Sequence, residues 1–385
     1  MKIGIDARII FRRGVGRYIS NLIRNLLEID RENKYFIYLA ENSVLYEYFN
    51  FKNCFFKRLN TSNGFFYEQF YLPKAAADDG VDVLHCTDNT APFLYPFYRG
   101  KIVVTIHDTM HIRDLKSAIA RPTLKQILID RYKKLGVPAS AKKADMIITV
   151  SNYSKTDIIK NLKIDENKIK VINEGVDEKF KVINNKNMIN RVLQKYSITK
   201  PYILTTGAAD VRKNTIRAIE AFNIFNNLTE YKYQMVITSI NPKELETTNI
   251  IQKIRELNLE KYIVLTGYVP DDDLVMLYNG ALFFLFPSIW EGFGLQVLEA
   301  FACGLPVIAS GITSIKEVAE DAALYIDPFS VEDIVRGMIE LEKSESKMQT
   351  LISKGFKQVE KFSWEASARE TLEVYKELFE RVKDE

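Results

Sequence analysis

Cysteine is scarce in this chain of 385 residues, with only Cys54, Cys86 and Cys303. An odd number without CxxC spacing excludes a disulfide framework and a cysteine zinc site as organising features, and fits a reducing cytoplasm. No apolar run approaches the ~18 residues that a bilayer-spanning helix needs. The opening "MKIGIDARII" lacks the charged-then-apolar layout of an export signal, because Asp6 interrupts it. Short-period repeats and low-complexity tracts are absent as well.

Hydrophobic residues make up 47% and charged residues 27%, the composition of a folded globular protein. The length exceeds what one core usually organises, so two domains of roughly 150 to 200 residues are expected. The net charge of +3 is unevenly placed: residues 1–180 hold 29 Lys/Arg against 21 Asp/Glu, and residues 181–385 hold 24 against 29. A basic first half is compatible with an anionic partner, either a membrane surface or nucleic acid.

Strand-like and helix-like stretches alternate from the start. "KIGID" (2–6) is followed by an amphipathic stretch with Ile19, Leu22, Ile23, Leu26 and Leu27 on one face, then by "YFIYLA" (35–40), which is the order of a βαβ unit. Further β-rich runs fall at 81–85, 101–108, 146–151 and 169–175. Residues 180–200, polar and weakly patterned, read as a linker. Alternation then restarts, with strands at 201–207, 233–240, 262–269, 281–288 and 305–310 and helices at 214–226, 249–258, 271–280 and 295–303. The expected fold class is α/β, with two Rossmann-like doubly wound domains facing a central cleft.

The motifs lie at strand ends, where open α/β sheets bind ligands. In "RRGVGRY", Gly14 and Gly16 let main chain approach a ligand and the following helix start offers N–H groups to an anion. As a dinucleotide fingerprint it is broken by Ile19, and a plain turn explains it as well. "TTGAADVRKNT" places Arg212 and Lys213 beside Asn214, a candidate helix cap, and two cations at a helix start suit a diphosphate. His107 ends the strand "IVVTIHD", where it is either functional or a structural histidine bonded to main chain; His85 and His111 read as structural. "PDDDL" (270–274) satisfies a DxD pattern, but the start of a helix favours aspartate by capping and by the dipole. In "SIWEGFGLQVLEAFACG" (288–304) the helix is expected to begin after Gly294, putting Glu299 one turn inside it, where it could accept ribose hydroxyls. Glu291, in the glycine loop, could accept hydroxyls of a second sugar.

Together "EGFGLQVLE", "ACGLPVIAS", "TGYVPDDDLVMLYNGA", "VTIHD", "VSNYSKTDII", "NEGVD" and "RKN" resemble the family-four glycosyltransferases of the GT-B fold, retaining enzymes that use nucleotide sugars. The resemblance covers nearly the whole chain. It implies residues 1–185 as acceptor domain, 186–363 as donor domain and 364–385 as a helix crossing back to the first. It also implies Glu291 on the donor sugar, Glu299 on the nucleotide ribose, Arg212 with Lys213 on the diphosphate, and His107 beside the reacting sugar. Gly14 and Gly16 would shape the acceptor and diphosphate side, main chain at Phe293, Gly294 and Leu295 would meet sugar and phosphate oxygens, and Val269 would lie near the base. Gln296, Ala208 and Ser239 depart from the family pattern, standing where proline, arginine and glycine are common.

The combination of "IHD", "RKN" and "EGFGL" resembles bacterial surface-polysaccharide mannosyltransferases. The expected activity is therefore transfer of a hexose, with mannose from GDP-mannose the first choice, to a lipid-linked or polysaccharide acceptor. No cofactor or obligatory metal is expected, and no nucleic-acid partner. The expected location is the cytoplasm, with peripheral contact at the inner face of the plasma membrane through the basic segment 113–143. Rival readings are a nucleotide-sugar epimerase on the same fold, an inactive scaffold subunit, and an NAD-dependent oxidoreductase using Gly14, Gly16 and Glu41.

Overall fold

The computed structural model describes residues 1–11, 14–40, 51–61, 63–112, 124–208, 211–240 and 249–383. Two compact units result. The first gathers the described residues up to 112 with Lys125–Gly175 and those from Phe362 onward, and the second runs from Val176 to Lys361.

The first unit is built on seven strands: β1 (Lys2–Asp6), β2 (Lys34–Ala40), β3 (Cys54–Leu59), β4 (Val83–Cys86), β5 (Lys101–Thr105), β6 (Met146–Thr149) and β7 (Ile169–Val171). They form one parallel sheet in the order β3-β2-β1-β4-β5-β6-β7. Strands covered on both faces bury every side chain, and β4 and β6 do so along their whole length. Helix Val15–Ile29 buries Ile19, Leu22, Ile23, Leu26 and Leu27, the stripe that its periodicity predicted. Strand β3 was not predicted. It is an edge strand with exposed Phe55, Lys57 and Arg58, so it lacks the apolar run of its buried neighbours.

The second unit repeats the plan with β8 (Tyr202–Thr206), β9 (Gln234–Thr238), β10 (Ile263–Gly267), β11 (Phe284–Phe286), β12 (Val307–Ser310) and β13 (Ala323–Ile326). Its parallel sheet has the order β10-β9-β8-β11-β12-β13. The strand order reverses between β1 and β4 in the first unit and between β8 and β11 in the second. At such a switch point the connections leave toward opposite faces and open a crevice beyond the strand ends.

The linker expected over 180–200 is corrected by the structure, which contains a helix at Lys186–Lys195. None of its residues is fully buried, and its apolar face of Ile189, Val192 and Leu193 is half-buried. Polar contacts add to that face: the Asn185 side chain accepts from Met188 N–H, and the Lys195 ammonium lies 2.5 Å from Asp273. The Tyr196 hydroxyl donates to the same carboxylate at 2.8 Å. Asp271, Asp272 and Asp273 occupy the first turn of helix Asp271–Gly280 with Pro270 at the cap position, and Lys179 pairs with Asp271 at 3.0 Å. Dipole and lysines thus account for that acidic run.

The last helix, Trp364–Lys383, packs on helix Val15–Ile29. Its Tyr375 hydroxyl meets Nδ1 of the fully buried His85 at 2.5 Å, while His85 Nε2 meets the Thr105 hydroxyl at 2.7 Å. The Tyr18 hydroxyl joins Thr105 at 3.0 Å, completing a buried polar chain from the last helix through the sheet to the first helix. His85 is structural, as expected. Burial, and then repulsion from His107, push its imidazole down to about 3.

Two outcomes follow from these packings. Between the ordinary histidine value of 6.5 and about 3, the unfolded chain takes up a proton that folded His85 refuses, so stability falls as the pH drops through this window. The fall, read from urea midpoints between pH 7 and pH 4.5, should be shallower in His85→Gln, by up to about 1.4 kcal/mol per pH unit. Ser239, at the position where glycine is common, has φ 77°. Ser239→Gly should therefore change stability by less than about 0.5 kcal/mol, whereas the β-branched Ser239→Val should cost more than about 1 kcal/mol.

Candidate active site

In the second unit the loops after β8 and β11 meet. The carbonyl oxygen of Arg212 accepts from Ile289 N–H at 2.7 Å and from the Ser288 hydroxyl at 2.9 Å. This brings Arg212 and Lys213, in a short 3₁₀ turn, next to the loop that carries Glu291. The Lys213 ammonium lies 2.6 Å from Glu291 Oε1, and the Ser288 hydroxyl donates to the same oxygen at 2.6 Å. Lys213 also stands over the Phe286 ring, 4.8 Å from its centroid. Only 17% of the lysine side chain and 15% of the glutamate side chain are exposed, so the charges are mostly withdrawn from water and compensate one another.

Asn214 holds the N-cap position of helix Thr215–Leu228, but its side chain makes no cap hydrogen bond. It donates instead to the carbonyls of Pro287 and Pro328, at 3.1 and 2.6 Å, and accepts from Arg217 at 3.0 Å. The cap expected there is thus corrected to a tie between loops, made possible by a left-handed backbone at φ 56°.

Helix Leu295–Ala302 begins after Gly294, as the sequence predicts. Gly294 has φ 109°, a conformation that side chains rarely adopt, while the space around it is open: an added Cβ would meet only Ile315, at 3.8 Å. The preceding turn is tied down by the Ser314 hydroxyl, which donates to the carbonyls of Glu291 and Phe293 at 2.9 and 3.0 Å. Phe293 and Leu295 are buried, so what they can offer a ligand is main chain. Glu299 is 1% exposed and accepts from the Tyr278 hydroxyl at 3.1 Å. Sequence reasoning missed Tyr278, because a tyrosine on an apolar helix gives no signal apart from core packing. Val269, just past edge strand β10, is fully buried beside the exposed Tyr268.

In the first unit Gly14 takes the cap position of helix Val15–Ile29 with φ 68°. Gly16 meets a different constraint: a Cβ there would lie 2.6 Å from the Ile10 carbonyl oxygen, so the chain's own main chain requires glycine. His107 follows β5. Its Nε2 lies 3.0 Å from the Thr87 carbonyl oxygen, its Nδ1 faces Glu174 at 3.6 Å, and Tyr18 packs against it edge-on at 4.9 Å. Burial opposes charge on this ring, but the Glu174 carboxylate, the Thr87 carbonyl and Asp88 together outweigh it and raise the imidazole above its ordinary value. The expectation of a histidine bonded to nearby main chain is met, while Glu174 was missed: "NEGVD" was noted as a landmark without a role for its acid.

A second network unforeseen in the sequence lies at the end of β1. Half-buried Arg8 joins Glu68 and, at 3.3 Å, Asp6, while Glu68 also accepts from the Thr90 hydroxyl at 2.5 Å and from Tyr132. Burial raises the Asp6 carboxyl despite the opposing charge of Arg8. Among the described residues, no group of three or more His, Cys, Asp or Glu side chains is arranged to hold a metal ion.

Of the basic segment 113–143, residues 113–123 lie outside the described residues, as does Glu41, and nothing is described of the side chains of His111, Leu124 and Lys125. Helix Leu124–Lys143 exposes Leu128, Ile129 and Leu135 together with Arg131, while Lys134 pairs with Asp130 at 3.5 Å. Among the described residues, no helix is long and apolar enough to cross a membrane.

The chain is similar to known proteins. The model for glycosyltransferase family 4 matches residues 12–180, and that for glycosyl transferases group 1 matches residues 189–358. An O-antigen chain mannosyltransferase B of Escherichia coli is 31% identical over 249 residues, covering 64% of this chain and 65% of that protein. The serotype-specific mannosyltransferase WbdA of the same species is 29% identical over 283 residues, 73% of this chain but 34% of its own length. The chain thus spans from about a third to just under two thirds of these relatives. Among solved structures, a glycosyltransferase from Rickettsia africae superposes with a TM-score of 0.75 at 21% identity, covering 98% of each chain. HepE of Anabaena, in complex with UDP-glucose, gives 0.75 at 15% identity over 98% of this chain and all of that one. These likenesses establish two Rossmann-like units of the GT-B class. One glycosyltransferase family model thus lies on each half of the chain, family 4 on the first and group 1 on the second.

Proposed function

We propose that this chain is a retaining hexosyltransferase that moves mannose from GDP-mannose to a lipid-linked or polysaccharide acceptor in cell-surface glycan synthesis. The observation that carries this reading is the meeting of the Arg212–Lys213 turn with the Glu291 loop at the β8/β11 switch point, ahead of the N-terminus of helix Leu295–Ala302. The O-antigen mannosyltransferases among its relatives support the choice of sugar and process.

Breaking the anomeric C–O bond leaves negative charge on a diphosphate, and that charge must be met as it develops. Arg212, Lys213 and the N–H groups after Gly294 supply it without a metal. Glu291 Oε1 holds Lys213 and Ser288, so its other oxygen is the one that accepts a sugar hydroxyl. Glu291 is thus a sugar-positioning group rather than a nucleophile. Glu299, steadied by Tyr278, accepts the ribose hydroxyls; main chain at Phe293, Gly294 and Leu295 meets phosphate and sugar oxygens, and main chain at Val269 meets the base. From the first unit, His107 serves beside the reacting sugar, while Gly14 and Gly16 shape the acceptor side. The exposed apolar residues of helix Leu124–Lys143 with their basic neighbours give peripheral contact with anionic lipid at the inner membrane face.

A thermal-shift screen against GDP, UDP, dTDP and ADP should single out GDP, since a ligand at 100 times its Kd adds about 2.7 kcal/mol to native stability; a shift with UDP or dTDP alone overturns the choice of donor. Glu291→Gln, which keeps the side chain's shape, should lower kcat by about 100-fold or more, with the urea midpoint showing that the fold persists. Transfer should survive excess EDTA, and its loss would mean that a metal neutralises the leaving group. Flotation with anionic but not with neutral liposomes is expected, and equal behaviour with both would remove the membrane contact.

A further inference from the structure

A carbonyl oxygen and a carboxylate both accept hydrogen bonds and donate none. The His107 ring faces one of each, with Nε2 at 3.0 Å from the Thr87 carbonyl and Nδ1 at 3.6 Å from Glu174 Oε1. A neutral imidazole carries a single proton, so one of its lone pairs would be directed at an acceptor. Only the doubly protonated ring suits both neighbours. Both side chains are buried, the histidine residue 7% and the glutamate 5% exposed, so water is poorly placed to substitute for either partner.

The ring is also held in place. The backbone N–H of His107 donates to the Asn89 side chain at 2.8 Å, and its backbone carbonyl accepts from the Ser154 hydroxyl at 3.0 Å. The other groups facing it are Asp88 in the loop after β4, itself 4.0 Å from Lys133, His85 on β4, and Tyr18 from helix Val15–Ile29. Asp108, next in the chain, is directed at the Met110 N–H, 2.9 Å away. Glu174 is therefore the carboxylate that meets the imidazole directly.

We propose that Glu174 is a positioning residue that keeps the His107 ring oriented and doubly protonated, so that the ring serves transfer as a fixed positive charge and not as a proton carrier. The proposal rests on the reading above that sets His107 beside the donor sugar. With both nitrogens protonated, the ring has no lone pair to receive a proton from an acceptor hydroxyl. What it offers the reacting centre is charge and shape.

Histidine-selective NMR on the full chain tests this directly, because only three histidines contribute signals and His107→Asn identifies its own by loss. Wild-type His107 should titrate above the ordinary histidine value of 6.5, and Glu174→Gln should lower its midpoint by roughly one unit or more, with Glu174→Asp in between. An unchanged urea midpoint reports that the fold persists. In transfer assays, Glu174→Gln should lose kcat as pH rises through the new midpoint and recover it at lower pH, with a smaller change in the donor KM. A His107 midpoint equal in wild type and Glu174→Gln overturns the protonation claim, and activity unaffected by Glu174→Gln at every pH overturns the positioning role. Should the wild type transfer no sugar from any nucleotide donor, the functional reading fails while the NMR titration still decides what Glu174 does to the ring.

Discussion

One ion pair, that of Lys213 with Glu291, sets the geometry of the strand-end loops in the second unit. An isolated ammonium or carboxylate withdrawn this far from water is costly, and each makes the burial of the other tolerable. The pair also joins two loops that leave adjacent strands toward opposite faces of the sheet. Serines 288, 310 and 314 work to the same end, each with its hydroxyl on a carbonyl of the Glu291 loop or its neighbours. The charge suited to a diphosphate and the group suited to a sugar are thus set by one contact.

Most of the framework could be read from the sequence, because strands buried on both faces and helices with one apolar stripe leave strong periodicities. Ile19, Leu22, Ile23, Leu26 and Leu27 declare their helix without help. What escaped is half in water: helix Lys186–Lys195 keeps its apolar residues only half-buried beside a cap and one lysine pair, and β3 is an edge strand. Asn214 sits where a cap belongs, yet its amide satisfies two distant carbonyls that no local pattern could disclose. Glu291, Glu299, Arg212 and Lys213 could be singled out in the sequence because they are charged residues in the loops and helix starts that follow apolar strands. Glu174 and Tyr278 were missed because their partners, His107 and Glu299, are remote in sequence and close only in the fold.

The two units share a topology but differ in how their interiors are finished. The second is closed by a cluster of phenylalanine, isoleucine and methionine around Phe222, Phe225 and Met338. The first buries, besides its apolar cluster, the chain of hydroxyl and imidazole groups from Tyr375 to Tyr18. Such a chain is demanding, since every member must find its partner. In return it fixes the floor beneath His107 and Tyr18, which apolar contacts alone would leave free to slide.

The place of helix Trp364–Lys383 in the first unit has a bearing on biosynthesis. Residues 1–175 leave the ribosome early, yet the tyrosine that satisfies His85 is made only after the whole second unit has been translated. The first sheet must therefore wait, its imidazole and the apolar groove along helix Val15–Ile29 uncovered, while some 190 intervening residues are added at about 5–20 per second. For those seconds the amino-terminal half lacks the helix that packs on it in the finished molecule.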